Sequence, residues 1–270
     1  MRKLLKYGVM TGFLISLFSI SLYASPEQMR GMYVGWFKKV PAANSKARDN
    51  KINIIIEKIN GNTVSGRSIV AGNERPFQGP FTTKGNTYTV KASEPGDDRY
   101  DGVFTFTVKT NERKLAGIWV PNKPTASVSR TEYTLDRTEF VYRSDLELPE
   151  NLNWTELYGD EAKRVLGFDG AVELLTEDVT RFNASKVLLK KEYLENLHKG
   201  DLEVLRNSIY ARHGYSFKNR KMRYVFDQID WYVPVSTDVR TKLTKLELQN
   251  IEAIKRYEKH AEAYYDGFGR

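Results

Sequence analysis

Apolar and polar residues alternate over much of the first half of the chain, whereas in the last third apolar residues recur at helical steps. In KINIIIEKINGNTVSGRSIV, residues 51–70, an extended chain places Ile52, Ile54 and Ile56 on one face and Asn53, Ile55 and Glu57 on the other. Asn60-Gly61 interrupts the run; both residue types accept positive φ, as a tight I′ turn requires, so the pattern predicts a hairpin. Turn clusters at Gly72-Asn73, Lys84-Gly85-Asn86, residues 95–98 and Thr110-Asn111 separate further short β-rich pieces. Over residues 103–109, Phe104, Phe106 and Val108 share a face, and in GMYVGWFKK, residues 31–39, Tyr33, Gly35 and Phe37 oppose Met32, Val34 and Trp36. Short strands with tight turns and no helical pattern between them predict an antiparallel β-barrel or sandwich over residues 25–145. A barrel of this size is expected to be filled by its side chains; a hollow one would hold an apolar ligand.

Residues 146–184, beginning LELPENLNWTELYGDEAKRVLGFDG, mix proline, asparagine and glycine with isolated apolar positions. They read as a connector with one short helix near residues 154–166. From Ser185 the period is helical. Val187, Leu188, Tyr193, Leu194 and Leu197 fit one wide face, which Lys199-Gly200 closes. Asp201 is a fitting N-cap for the next helix, which carries Leu202, Leu205 and Ile209 on one stripe and stops at Gly214. Asn219 is placed to cap a helix with Met222, Val225 and Phe226, and Thr244-Lys-Leu-Glu247 is a capping box opening a third through Leu246, Ile251 and Ile254. The expectation is an α+β chain of two domains: the β domain, then a small helical domain over residues 185–270.

Three blocks of that helical part, LRNSIYARHGYSF at 205–217, DWYVP at 230–234 and LELQNIEAIKRYE at 246–258, resemble the YARHG domain, a module of exported bacterial proteins. The motif itself is Tyr210-Ala211-Arg212-His213-Gly214, and the likeness covers about residues 185–260. Ser208 stands where the family often has glutamate, which puts in doubt a side-chain partner for Arg206 or Arg212. The resemblance implies an extracytoplasmic helical domain and carries over no activity. The early glycine beside an aromatic in residues 31–39 is faintly similar to the first strand of lipocalin-like barrels, over about seven residues.

Charge and the chain start bear on location. MRKLLK is followed by an apolar run to Tyr23 and by Ala24-Ser25-Pro26, the layout of a secretory signal peptide over residues 1–24. An uncleaved anchor is the alternative reading, although Gly8, Thr11, Gly12 and three serines dilute the run. The mature chain then has no further apolar stretch long enough to span a membrane and is periplasmic, cell-surface or secreted. With no cysteine it has neither disulfides nor thiolate zinc. Residues 25–184 balance 22 cations against 22 acids, while residues 185–270 hold 17 against 12, so the basic excess lies in the helical part. On an exported chain that suggests an anionic envelope component or a protein partner rather than nucleic acid.

Chemistry is sparse. The three histidines, His198, His213 and His260, form no H-x-x-x-H pair, and no nucleophile elbow, P-loop or dinucleotide glycine pattern occurs. Four acids within residues 94–101 suggest calcium, but EF-hand spacing is missing and Arg99 lies among them, so an acidic turn is expected. No metal or cofactor is expected. The candidate binding residues are Arg206, Asn207, Tyr210, Arg212 and His213 on one helix face, with Trp231 and Tyr232 returning to cover it. A phosphate or carboxylate fits between Arg206 and His213; equally, Arg212 and His213 are the residues with which a glycine-terminated helix ends, facing its own free carbonyls. The sequence therefore favours a non-catalytic envelope protein that binds a surface component or partner. A lipocalin-like carrier and a wall hydrolase with paired carboxylates are the alternatives.

Overall fold

A computed structural model describes residues 25–40, 49–123, 130–157 and 174–264. The signal-peptide expectation lies on residues 1–24, outside the described residues, as does the short-helix expectation beyond Leu157. The first half forms eight strands: β1 Gly31–Lys39, β2 Asn50–Asn60, β3 Thr63–Val70, β4 Asn73–Lys84, β5 Thr87–Ser93, β6 Gly102–Lys109, β7 Lys114–Pro121 and β8 Thr131–Thr138. Each pairs antiparallel with the next, and β8 returns to β1 in a register running from Met32 opposite Thr138 to Lys39 opposite Thr131. The result is a closed barrel, which leaves no strand edge exposed.

Alternation decides what faces inward. Ile52, Ile54, Tyr88, Val90, Phe106 and Leu135 are wholly or nearly wholly buried in one cluster at its centre. At the end where β1 begins, a 3-10 turn over Pro26–Met29 drops Met29 into that cluster. The turn is held by Tyr33, whose hydroxyl donates to the Met29 carbonyl at 2.9 Å, and by Arg137, which donates to the carbonyls of Gln28 and Arg30 at 2.8 and 2.6 Å. The β2–β3 hairpin turns at Gly61, with φ of +59°, as its Asn-Gly predicts. The next turn sits one residue earlier than expected: Ala71 and Gly72 take φ of +52° and +73°, and Asn73 opens β4.

The described helices are α1 Trp154–Leu157, α2 Lys191–Leu194, α3 Lys199–Arg212, α4 Arg220–Phe226 and α5 Lys245–Tyr264. The helix predicted across Val187–Leu197 is shorter than its pattern: Val187 and Leu188 are 43 and 56% exposed, and only α2 is helical there. Lys199-Gly200 does not close it but opens α3, whose N-cap is His198. Asp201, expected as the cap, is the third helical residue, and its carboxylate reaches back to the His198 N–H at 3.1 Å, the second half of a capping box. Asn219 caps α4, accepting from the N–H of Lys221 and Met222, and Thr244 and Glu247 cap α5 reciprocally, at 3.2 and 2.8 Å.

The connector packs with the helices. Leu148, Trp154, Leu175 and Val179 belong to the same apolar cluster as Leu205, Ile209, Phe226 and Ile254. This body lies against the outer face of β2. The Lys51 N–H donates to Asp227, its Nζ donates to the carbonyls of Ile229 and Tyr232 at 2.9 and 3.1 Å, and Asn53 donates to the Pro234 carbonyl. Beside them, the Gly72 N–H donates to Ser216 Oγ at 3.0 Å. A β-carbon at Gly72 would press on the Lys218 backbone at 2.7 Å, so its lack of a side chain is a condition of this contact.

Candidate functional site

The motif ends α3. Gly214 adopts φ of +74°, and the N–H groups of Gly214 and Tyr215 close the helix on the carbonyls of Ala211 and Tyr210. A side chain at Gly214 would collide with Val235 and approach the Val233 carbonyl at 3.0 Å. The two polar residues before it reach beyond the helix's own free carbonyls to partners on other elements. Arg212, only 1% exposed, donates from Nε to the Leu146 carbonyl at 2.7 Å and from Nη1 to Ser208 Oγ at 2.8 Å. Its guanidinium lies 5.7 Å from the Trp231 ring, and Trp231 donates to the Glu147 carbonyl at 2.8 Å. Arg212 and Trp231 thus pin neighbouring peptides of one segment. Burial lowers the Arg212 pKa to about 10, which leaves it cationic at neutral pH. Ser208, flagged as a lost partner, is a direct acceptor for Arg212.

His213 is buried against the start of α5. Its Nε2 lies 2.8 Å from Glu247 Oε2, and its ring stacks on Tyr142 at 4.2 Å between centroids with 15° between planes. Tyr142 donates its hydroxyl to Glu247 Oε1 at 3.1 Å. Glu247 therefore caps a helix, meets a histidine and accepts from a tyrosine. Burial raises its pKa, but hydrogen bonds from His213 and the Thr244 backbone outweigh that and hold it at about 2. Burial and the same carboxylate push the Tyr142 phenol up to about 12.

The remaining candidates have internal partners as well. Arg206 pairs with Glu258 of α5 at 2.8 Å. Asn207 donates to the Glu203 carbonyl one turn earlier, and Tyr210 sits against Tyr215 with ring centroids 6.1 Å apart. Tyr232 lies away from the Arg212 group, donating to the Tyr215 carbonyl at 2.7 Å and packing on Phe217 and Phe226. Arg206 and His213 both face α5, each with its own glutamate. Among the expected residues, only Trp231 touches Arg212. Tyr142, Leu146 and Glu247 complete the cluster and were not read as part of it. Only Glu247 left a signal, as a helix cap.

A second constellation lies in the barrel, at the end where β1 finishes and β2 begins. Inward phase brings there Phe37, Asn50, Ser68, Arg75, Glu94, Phe104, Trp119 and Thr131, one from each strand or the residue just after it. They line a cavity of about 250 Å³. Glu94, 6% exposed, accepts from the Gly102 N–H at 2.7 Å and from Trp119 Nε1 at 3.0 Å, both on Oε2. Among the described residues Oε1 has only Ser68 Oγ, at 3.4 Å. Burial raises the Glu94 pKa, with the Trp119 and Gly102 hydrogen bonds pulling the other way.

The neighbouring acidic turn satisfies itself. Asp101 accepts from the N–H groups of Gly96 and Asp98 and pairs with Arg75 at 2.9 Å. Burial raises the Asp101 pKa, and these bonds overcome that and hold it below the usual carboxylate value. Among the described residues no group of three or more histidine or carboxylate side chains is arranged to hold a metal.

Residues 179–259 match the YARHG domain, which is associated with extracellular and periplasmic proteins. The match begins well after the barrel ends and spans α2 to most of α5. No curated protein matches the chain. Among the described residues no helix is long and apolar enough to cross a membrane.

Proposed function

We propose that the protein is an exported, non-catalytic binding protein that seats a small ligand in the barrel end lined by Ser68, Glu94, Trp119 and Thr131. On this reading the helical body braces the barrel wall next to that end. The observation that carries the proposal is the cavity itself: apolar and aromatic walls around a few convergent polar groups, the usual make-up of a small-molecule site. Its volume lies just below the range of about 300–1,000 Å³ typical of drug-sized ligands, which favours a compact molecule.

The motif supports this division of labour, because Arg206, Arg212 and His213 already have partners inside the protein. An anion bound between them would have to displace Glu247 or Glu258. Paired-carboxylate hydrolysis needs two acids across one cleft, and among the described residues Glu94 is the single carboxylate lining the barrel-end cavity.

Native mass spectrometry of the full chain purified from its own host tests the proposal. The expected result is a co-purifying small molecule that is absent from a Ser68→Phe variant, whose added ring fills the cavity. Protein that carries no extra mass, and binds no member of a small-molecule panel, overturns it.

A further inference from the structure

The polar groups of the barrel end are unequal in what they already hold. Arg75 is engaged by Asp101 at 2.9 Å and Asp98 at 3.4 Å. Lys39, at the rim, has its pKa lowered by burial, against which Asp49, accepting from the Lys39 backbone N–H, favours the charged ammonium. Glu94 is the exception: among the described residues it has no ion-pair partner, only the two donors on Oε2 and the distant Ser68 hydroxyl on Oε1. Thr131 supplies a second, independent sign. It is 3% exposed, shares the inward phase of Tyr133 and Leu135, and its Oγ1 has no hydrogen-bond partner among the described residues.

A buried carboxylate without a direct ion pair, with the Arg75 charge acting on it only from across the cavity, and a buried hydroxyl without a partner are both costly. The same ligand group relieves both if it brings positive charge and several N–H donors. The walls agree with that choice. Phe37 and Trp119 meet edge to face at 5.9 Å, Phe104 lies 6.5 Å from Trp119, and ring faces attract cations.

Resting on the barrel end as the ligand site, we propose that it selects compact organic amines: the ammonium donates to Glu94 Oε1 and Thr131 Oγ1, and the carbon body lies against Phe37, Phe104 and Trp119. A carboxylate ligand is repelled by Glu94, while the two cations of the lining, Arg75 and Lys39, already face Asp98, Asp101 and Asp49. A neutral alcohol of the same shape keeps the packing and loses the charge.

Calorimetric titration of the full chain with 2-phenylethylamine, 2-phenylethanol and phenylacetate separates these cases, since the three share one ring and differ in charge. The amine is expected to bind at least tenfold tighter than the alcohol, with the acid weakest. Glu94→Gln, which keeps acceptors for Trp119 and Gly102, should abolish that preference without lowering the melting temperature. If Glu94→Gln does not fold, Thr131→Val carries the test: it should weaken the amine several-fold and the alcohol less. Equal binding of amine and alcohol, tightest binding of phenylacetate, or a preference that survives Glu94→Gln overturns the inference. If none of the three binds while a co-purifying mass is present, amine selectivity falls and the ligand-site reading stands. If that mass is also absent, both fall.

Discussion

The barrel and the helical body place their buried polar groups differently: those of the motif point into packed joints between elements, those of the barrel end line a cavity. In the helical body the conspicuous groups are mostly taken up: Arg212 by Leu146 and Ser208, with its Nη2 alone left without a hydrogen bond among the described residues, His213 by Glu247, Arg206 by Glu258. In the barrel the core is apolar through its middle, and at one end Glu94 and Thr131 keep capacity that the protein does not use. The lesson is that a dense polar motif can be an assembly joint, while unused chemistry sits where single residues from separate strands converge. Buried polar groups are tolerated when paired, and the pairing, rather than residue type, distinguishes a joint from a site.

Three expected outcomes test this contrast, the largest first. Glu247→Ala removes the partner of His213 and Tyr142 together with one half of the α5 cap, and should cost about 2–4 kcal/mol, the sum expected for buried polar groups left unpaired and a lost cap. Urea unfolding followed by the helical circular-dichroism band would show it; a loss below about 1 kcal/mol would mean the motif is not the joint described. Acid sensitivity comes next. Glu247 has its folded pKa depressed to about 2 from 4.5, so its contribution is complete above the ordinary carboxylate range and is lost as pH falls from there towards 2. The amount is about 3 kcal/mol at about 1.4 kcal/mol per pKa unit. Glu94 has the opposite sign: its folded pKa is raised, so its effect favours the fold at low pH and is lost as pH rises through the folded value. A Glu247→Gln variant should therefore show a flatter acid limb than the parent in melting temperature against pH. The smallest effect is Arg206→Gln. Its pair with Glu258 is partly exposed, at 21 and 17%, and the loss should stay below about 1 kcal/mol in the same urea experiment. A loss comparable to that of Glu247→Ala would make Arg206 a second joint.

Much of the fold could be read from local pattern. Ile52, Ile54 and Ile56, the Asn60-Gly61 turn and the Phe104–Phe106–Val108 face lie where the alternation put them. Barrel against sandwich was not decidable locally, because closure depends on β1 meeting β8 about a hundred residues later. Gly214 and the Thr244–Glu247 box marked helix ends correctly, while Gly200 misled, since glycine reads as a stop and here stands in a first turn held by Asp201. The environment of the motif was legible only on its own helix. Leu146 offers Arg212 a backbone carbonyl from 66 residues away, and a carbonyl has no sequence signature. The barrel end was hidden for a related reason. Glu94 stood out as one of an acidic run, Thr131 did not stand out at all, and only strand phase and closure bring them to one cavity.

The stacking of Tyr142 on His213 bears on how the chain can be divided. The recurring sequence unit starts at residue 179, yet the ring covering its signature histidine and the peptide held by its signature arginine come from residues 142 and 146. Excised at the family boundary, the module would lose a wall and a ligand for its own hallmark residues. The matched sequence unit and the packed unit of this chain are therefore not coextensive.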